Sequence, residues 1–208
     1  GISRIKKQPM GKRPNVFDAP HRTKIRIVGI GGGGGNIGAE IASKIRKIDF
    51  VGVNTDIQAL QQLPKAAKRF SFGQEMTGGL GCGMDVELAE KAASAEKERI
   101  REVLEGSDIC IFIACLGGGT GSGAAPLFAE IAQELKCLTL GIFTMPFAFE
   151  GEKRKQVAER ALEKLKPLVN AYVVIPNERI FQIIDKKTPL KEALSAVNKR
   201  LSDTLEGF

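Results

Sequence analysis

The amino-acid order predicts an α/β protein built on a doubly wound parallel sheet, with helices on both faces. Three observations carry that expectation. Apolar strand-like runs and helix-like runs alternate at least five times along the chain, the pattern of right-handed strand–helix–strand units. One run, Asp108 to Cys115 (DICIFIAC), is apolar almost throughout, as a strand buried on both faces must be. Sixteen of the 24 glycines fall in three clusters, residues 29–35, 73–83 and 117–123, each following a strand-like run. The architecture these imply is Rossmann-like, with ligands expected at the carboxyl ends of the strands.

The elements follow in order. Residues 1–22 are rich in Lys, Arg, Pro and Gly without a sustained period, and read as a flexible basic tail ahead of one domain over 23–208. Lys24–Ile30 is the first strand, followed by the glycine run Gly31–Gly35 and a helix from Asn36 to about Lys47. Phe50–Asn54 is the second strand, and Arg69–Phe72 a weaker one leading into the loop Thr77–Gly83. An Ala-, Glu- and Lys-rich stretch from about Val86 to Glu105 reads as one helix before the strand Asp108–Cys115. The loop Gly117–Gly123 then opens a helix to about Leu135. Leu138–Thr144 is a strand, Gly151–Lys166 a helix, and Ala171–Ile175 a strand closed by Pro176. A short helix is expected at Glu178–Ile184. The last helix starts after Thr188-Pro189, with Thr as N-cap and Pro at the first helical position.

Charge and composition exclude several function classes. The net charge is +7, yet residues 1–26 carry eight bases against the single acid Asp18, so the remainder is neutral. The excess belongs to the tail, and the domain itself gives no sign of nucleic-acid binding. Cys82, Cys110, Cys115 and Cys137 form no CxxC pair and read as small buried hydrophobes, not as disulfides or metal ligands. His21 is the only histidine, which disfavours histidine triads and His-rich metal sites. No run reaches the roughly 18 apolar residues of a membrane span, and the basic leader lacks the apolar core of a secretory signal.

Glycine costs roughly 0.5–1 kcal/mol per residue inside regular structure, so three such clusters need a use beyond turning the chain. Backbone without Cβ can approach a ligand closely, and its N–H groups at a helix N-terminus can converge on phosphate oxygens. Each hydrogen bond to a charged acceptor contributes about 1.5–3 kcal/mol. The chain contains no GxxxxGK[ST], so an ordinary P-loop is excluded. Gly29–Gly34 satisfies GxGxxG, with Asp49 and Asp56 downstream. Alone it fits either a tight strand–helix turn or the nicotinamide-dinucleotide site of an oxidoreductase. The second loop, GGGTGSG, favours a di- or triphosphate cradled from two sides. Thr120 and Ser122 add hydroxyls suited to phosphate, or, for Ser122, to a helix N-cap.

Several of these motifs resemble one family. Gly117–Gly123 (GGGTGSG) matches the tubulin/FtsZ signature. Val28–Asn36, Val53–Leu60, Gly79–Gly83, Phe147–Arg154 and Ile175–Asn177 are similar to further segments of the FtsZ branch, in order over about residues 24–208. The resemblance implies a tubulin-like nucleotide-binding domain of a GTP-hydrolysing, filament-forming protein of bacterial cell division. Gly32, Gly33, Gly34, Gly35 and Asn36 would hold the α- and β-phosphates of GTP or GDP. Gly118, Gly119, Thr120 and Gly121 would cradle the phosphates from the other side. Gly81, Cys82 and Gly83 would sense the γ-phosphate, with Asn54 and Asp56 nearby. Glu150 and Arg154 match ribose-side contacts, and Asn177 and Asn198 the amides that read ribose and guanine. An amide offers guanine both a donor and an acceptor, and Arg154 a permanent cation near a polyanion.

The resemblance carries further expectations. Mg²⁺ is expected with GTP, bridging phosphates and water more than protein carboxylates, so no metal-ligand set is assigned to the chain. Leu194 stands where the family often has a Phe stacking on guanine, Cys82 where a small Ala is usual, and Cys115 where a Gly precedes the signature. Family members continue the last helix into an acidic loop that completes a neighbour's site, then into a second α/β domain. Residues 1–208 contain neither, so no catalytic residue is assigned here, and slow hydrolysis by this chain alone is expected. Head-to-tail self-association of the longer protein, membrane anchors of the division machinery as partners, and a cytoplasmic place at the division site complete the expectation, without membrane insertion or nucleic acid.

Overall fold

The computed structural model describes residues 23–180. Six strands form one sheet: β1 (Ile25–Ile30), β2 (Asp49–Asn54), β3 (Lys68–Ser71), β4 (Ile109–Cys115), β5 (Leu138–Met145) and β6 (Ala171–Pro176). Every pairing is parallel, in the order β3-β2-β1-β4-β5-β6. The doubly wound sheet is as expected, and the direction of winding reverses between β1 and β4. That reversal opens a crevice at the carboxyl ends of both strands.

Alternation along β4 shows why this sheet is buried on both sides. Cys110, Phe112 and Ala114 face a core shared with α4 (Val86–Ser94), α5 (Lys97–Leu104), α6 (Gly119–Glu134) and α7 (Glu152–Leu165). Ile109, Ile111 and Ile113 face a second core that holds Ile37 and Ile41 of α1 (Gly31–Ser43). A continuously apolar strand is what two covered faces demand.

Helix boundaries depart from the sequence expectation in four places. α1 begins at Gly31, inside the glycine run, and ends at Ser43; it does not run from Asn36 to Lys47. α6 likewise begins within the signature, at Gly119. Glycine is a poor helix former, but its missing Cβ lets α1 lie directly on β4: a Cβ on Gly34 would overlap the Ile113 carbonyl oxygen. The stretch 86–105 is two helices, because Glu96 leaves helical geometry at φ −124°, ψ 33°. Its carboxylate accepts from the Gly73 N–H and pairs with Arg99. Helix propensity cannot register such a distant partner.

Two short helices were not anticipated, α2 (Ile57–Gln61) and α3 (Gln74–Thr77). Asp56 caps α2, its Oδ1 accepting from Ala59 N at 3.2 Å. Arg69 on β3 then fastens the connection after α2, donating to the carbonyls of Leu60, Leu63, Pro64 and Ala67 at 2.6–3.0 Å.

Cys82, Cys110 and Cys137 are buried and Cys115 is half-buried, all as free thiols. Burial pushes the Cys110 thiol up to about 12, with the neighbouring Cys137 adding to it. Among the described residues no helix is long and apolar enough to cross a membrane. The tail 1–22, Leu194, Asn198 and the helix expected after Thr188-Pro189 lie outside the described residues. The helix expected at Glu178–Ile184 is described only to its first turn, where residues 177–180 are helical.

Candidate functional site

A cavity of about 730 Å³ opens at the carboxyl end of the sheet, where the winding reverses. Its size suits a small-molecule ligand, for which sites run roughly 300–1,000 Å³. Gly31, Gly32, Gly33 and Asn36 reach it from α1, and Asn54 and Asp56 from the end of β2. Leu80, Gly81, Cys82 and Gly83 form one wall, and Gly118 to Gly121 another. Phe147 and Glu150 arrive from the connection between β5 and α7, Arg154 from the first turn of α7, and Asn177 and Ile180 from the chain after β6.

The helices divide by their caps. α2 and α4 are capped by aspartates, Asp56 and Asp85, and Asp85 Oδ1 accepts from Leu88 N at 3.0 Å. α1 and α6, the two that start in the cavity, have no side-chain cap and no acid in the first turn. Their first N–H groups therefore lack side-chain acceptors, and each helix end carries about half a positive charge. The two ends abut: a Cβ on Gly31 would stand 3.5 Å from Gly121 N. Converging donors of this kind suit an anion.

Hydrogen bonds tie the surrounding loops together. Gly119 N donates to Gly83 O at 2.9 Å, joining the signature to the 79–83 loop. Ile57 N donates to Gly79 O at 3.0 Å, and Asp56 pairs with Leu80 in an isolated bridge. Asn54, 4% exposed, accepts from Asp56 N through Oδ1 at 3.1 Å. Gly81 holds φ at +86°, where its missing Cβ would stand 3.2 Å from Asp56 Cβ; a larger residue would be strained twice over. Ser122 is buried, and its hydroxyl accepts from Gly117 N at 2.9 Å. That hydroxyl fixes the turn entering α6, and the N-cap is Gly118.

Electrostatically the site relies on backbone more than on cations. The described lining residues carry three carboxylates, Glu40, Asp56 and Glu150, and one guanidinium, Arg154. Arg154 Nη1 lies 3.8 Å from Glu150 Oε1. The two are four residues apart but do not share a helix: Glu150 ends a 3-10 turn, and Gly151 precedes α7. Cys115 borders the same cavity with its thiol raised, first by burial and also by the Glu150 charge.

The structure gathers Gly32, Gly33, Asn36, Asn54, Asp56, Gly81, Cys82, Gly83, Gly118, Gly119, Thr120, Gly121, Glu150, Arg154 and Asn177 around this one cavity. Gly34 and Gly35 do not line it. Both are buried beneath it, with Gly34 against β4 and Gly35 facing Leu63. Asn198 lies outside the described residues. The lining residues that sequence reasoning did not assign include Gly31, Ile37, Glu40 and Ala59. Glu40 follows Asn36 by four residues on α1, so the helical period alone would have placed it on the same face.

Comparison with known proteins gives the following matches. A family model described as the tubulin/FtsZ family GTPase domain matches residues 24–185. An FtsZ dimer structure from M. jannaschii aligns at 38% identity and TM-score 0.72, covering 86% of this chain and 52% of that one. CetZ2 from Haloferax volcanii, solved as a GTPγS-bound protofilament, aligns at 24% identity and TM-score 0.74, over 86% of this chain and 59% of its own. TubZ of Clostridium botulinum phage c-st aligns at 23% identity and TM-score 0.68, over 78% and 57% respectively. The last two establish likeness of fold alone. The chain spans only a little over half the length of these solved relatives.

Proposed function

The chain belongs to the tubulin/FtsZ family, and from that premise we propose that its cavity binds GTP and GDP in an FtsZ-type, filament-forming GTPase of bacterial cell division. The observation that carries this reading is the pair of abutting helix N-termini without side-chain caps, at Gly31–Gly33 and Gly119–Gly121. Apart from Gly119 N, which is already engaged by Gly83 O, their first N–H groups supply the donors a di- or triphosphate needs without a Walker lysine.

In this reading the first turn of α1 takes the α- and β-phosphates and that of α6 grips them from the opposite side. The 81–83 loop closes on the γ-phosphate, its position communicated to the signature through the Gly119–Gly83 hydrogen bond. Glu150 and Arg154 stand on the ribose side, and Asn177, together with Asn198, reads the ribose and base. Gly34 serves instead to seat α1 on the sheet, and Gly35 makes room for Leu63.

Magnesium fits this donor set as a companion of the nucleotide. No group of three or more His, Cys, Asp or Glu side chains that could hold a metal occurs among the described residues. Mg²⁺ would take phosphate oxygens and water, with Asp56 the protein carboxylate on that side. When bound it would neutralise phosphate charge, which the lining carboxylates cannot do.

Asp56 is engaged as the cap of α2. By the family resemblance, the water-positioning group belongs to the acidic loop of a neighbouring subunit in a head-to-tail filament. Exposed apolar side chains beside the cavity support an assembly contact there: Leu80 is 82% exposed and Phe149 84%, with Phe149 stacked on Phe147 at 5.0 Å. Membrane-anchoring division proteins and a cytoplasmic division-site location belong to the same proposal. Its test is GTP turnover by the purified 208-residue chain at low concentration. Saturable GTP binding with slow turnover is expected; brisk turnover independent of concentration would contradict a site completed by a second subunit.

A further inference from the structure

We propose that Thr55, buried under the phosphate cradle, is a positioning residue that turns the Thr120 hydroxyl into a hydrogen-bond donor aimed at a bound phosphate. The inference rests on the nucleotide reading above.

Thr55 follows the last residue of β2 and is 0% exposed. Its Oγ1 lies 2.9 Å from Thr120 Oγ1. Two hydroxyls at that distance share one proton, and the distance alone does not say which donates. Burial decides it. Thr55 is shut off from water, and Thr120 Oγ1 is the one partner given to its hydroxyl by the hydrogen bonds of the described residues. A buried O–H without an acceptor is strongly disfavoured. Thr55 therefore donates and Thr120 accepts.

The consequence falls on Thr120. With its oxygen accepting from Thr55, its own proton points away from Thr55. Thr120 lines the cavity in the first turn of α6, beside Gly121 and facing Gly31. A hydroxyl that accepts one hydrogen bond donates the next more strongly. The pair thus adds an oriented O–H to the backbone donors of the two helix ends, at the place where a phosphate oxygen needs one. It also couples two walls of the cavity, because Asp56, next to Thr55, pairs with Leu80, and Ile57 N donates to Gly79 O.

The experiment compares binding of GDP and of guanosine, which lacks phosphate, to five proteins: the unaltered chain, Thr55→Val, Thr55→Ser, Thr120→Val and the double variant. Thr55→Val should weaken GDP about three- to tenfold, the equivalent of one hydrogen bond, and leave guanosine unchanged. Thr55→Ser, which keeps the hydroxyl, should restore GDP affinity. In a Thr120→Val background, Thr55→Val should have no further effect on GDP. Equal weakening of GDP and guanosine by Thr55→Val, or an undiminished effect when Thr120 is already Val, would overturn the proposal. Should Thr55→Val fail to fold, Thr120→Val decides alone: GDP affinity equal to that of the unaltered chain would refute a phosphate-facing hydroxyl. An unaltered chain that binds GDP no better than guanosine would bring down the nucleotide reading beneath it.

Discussion

Aspartate in place of Gly32 is expected to lower guanine-nucleotide affinity at least ~100-fold, equivalent to about 2.7 kcal/mol, while leaving the fold as stable as before. Gly32 is the second residue of α1, exposed, and a Cβ there would meet nothing within 4 Å. The side chain is therefore accommodated without strain. At an uncapped N-terminus a carboxylate is favourable to the helix by about 0.3–1 kcal/mol. The same carboxylate would occupy the donors meant for phosphate and repel its charge. Gly32→Ala, which adds bulk without charge, should weaken binding less than about tenfold. Titration calorimetry with GDP alongside thermal unfolding separates the two effects. Affinity for Gly32→Asp within threefold of the unaltered protein would mean that the α1 terminus does not hold the anion.

Two residues along the same run, the opposite outcome is expected. Gly34→Ala should destabilise the protein by about 3 kcal/mol, the upper part of the range for overpacking a close-packed contact. Its Cβ would overlap the Ile113 carbonyl oxygen and stand 3.2 Å from the Ile113 carbonyl carbon and 3.3 Å from Ala114 Cα. All three are backbone atoms of a central strand, which cannot rotate aside as a side chain does. The helix must lift off β4. Ala is the better helix former by about 0.5–1 kcal/mol, too little to offset that. At 2–4 °C per kcal/mol for a chain of this size, Tm should fall by about 6–12 °C. A loss below 1 kcal/mol in chemical denaturation would show that α1 is not seated on β4 as described.

This contrast within one glycine run marks where sequence stops being legible. The strands were readable because two-sided burial writes itself as continuous apolar runs, most plainly at β4. The cavity's position followed from glycines placed after strands, and its lining was anticipated at most residues through the family motifs. Which glycines face the ligand and which face the sheet was not readable, since both roles require only a missing Cβ. Gly32 and Gly34 differ by about 200° around α1, and only the start of the helix at Gly31 sets the phase. The break at Glu96 was hidden for another reason: the partner that draws it out of the helix, Gly73, is remote in sequence. Short α2 likewise owes its existence to Asp56 and Arg69 acting from its two ends.

The most direct test is equilibrium titration of the purified chain with a fluorescent GTP analogue in Mg²⁺, followed by competition with GTP, GDP, ATP and NADH. A guanine-nucleotide cradle predicts saturable 1:1 binding that GTP and GDP displace at low concentration, while ATP and NADH require at least tenfold more. Absence of saturable binding, or displacement by NADH as effective as by GTP, would contradict it.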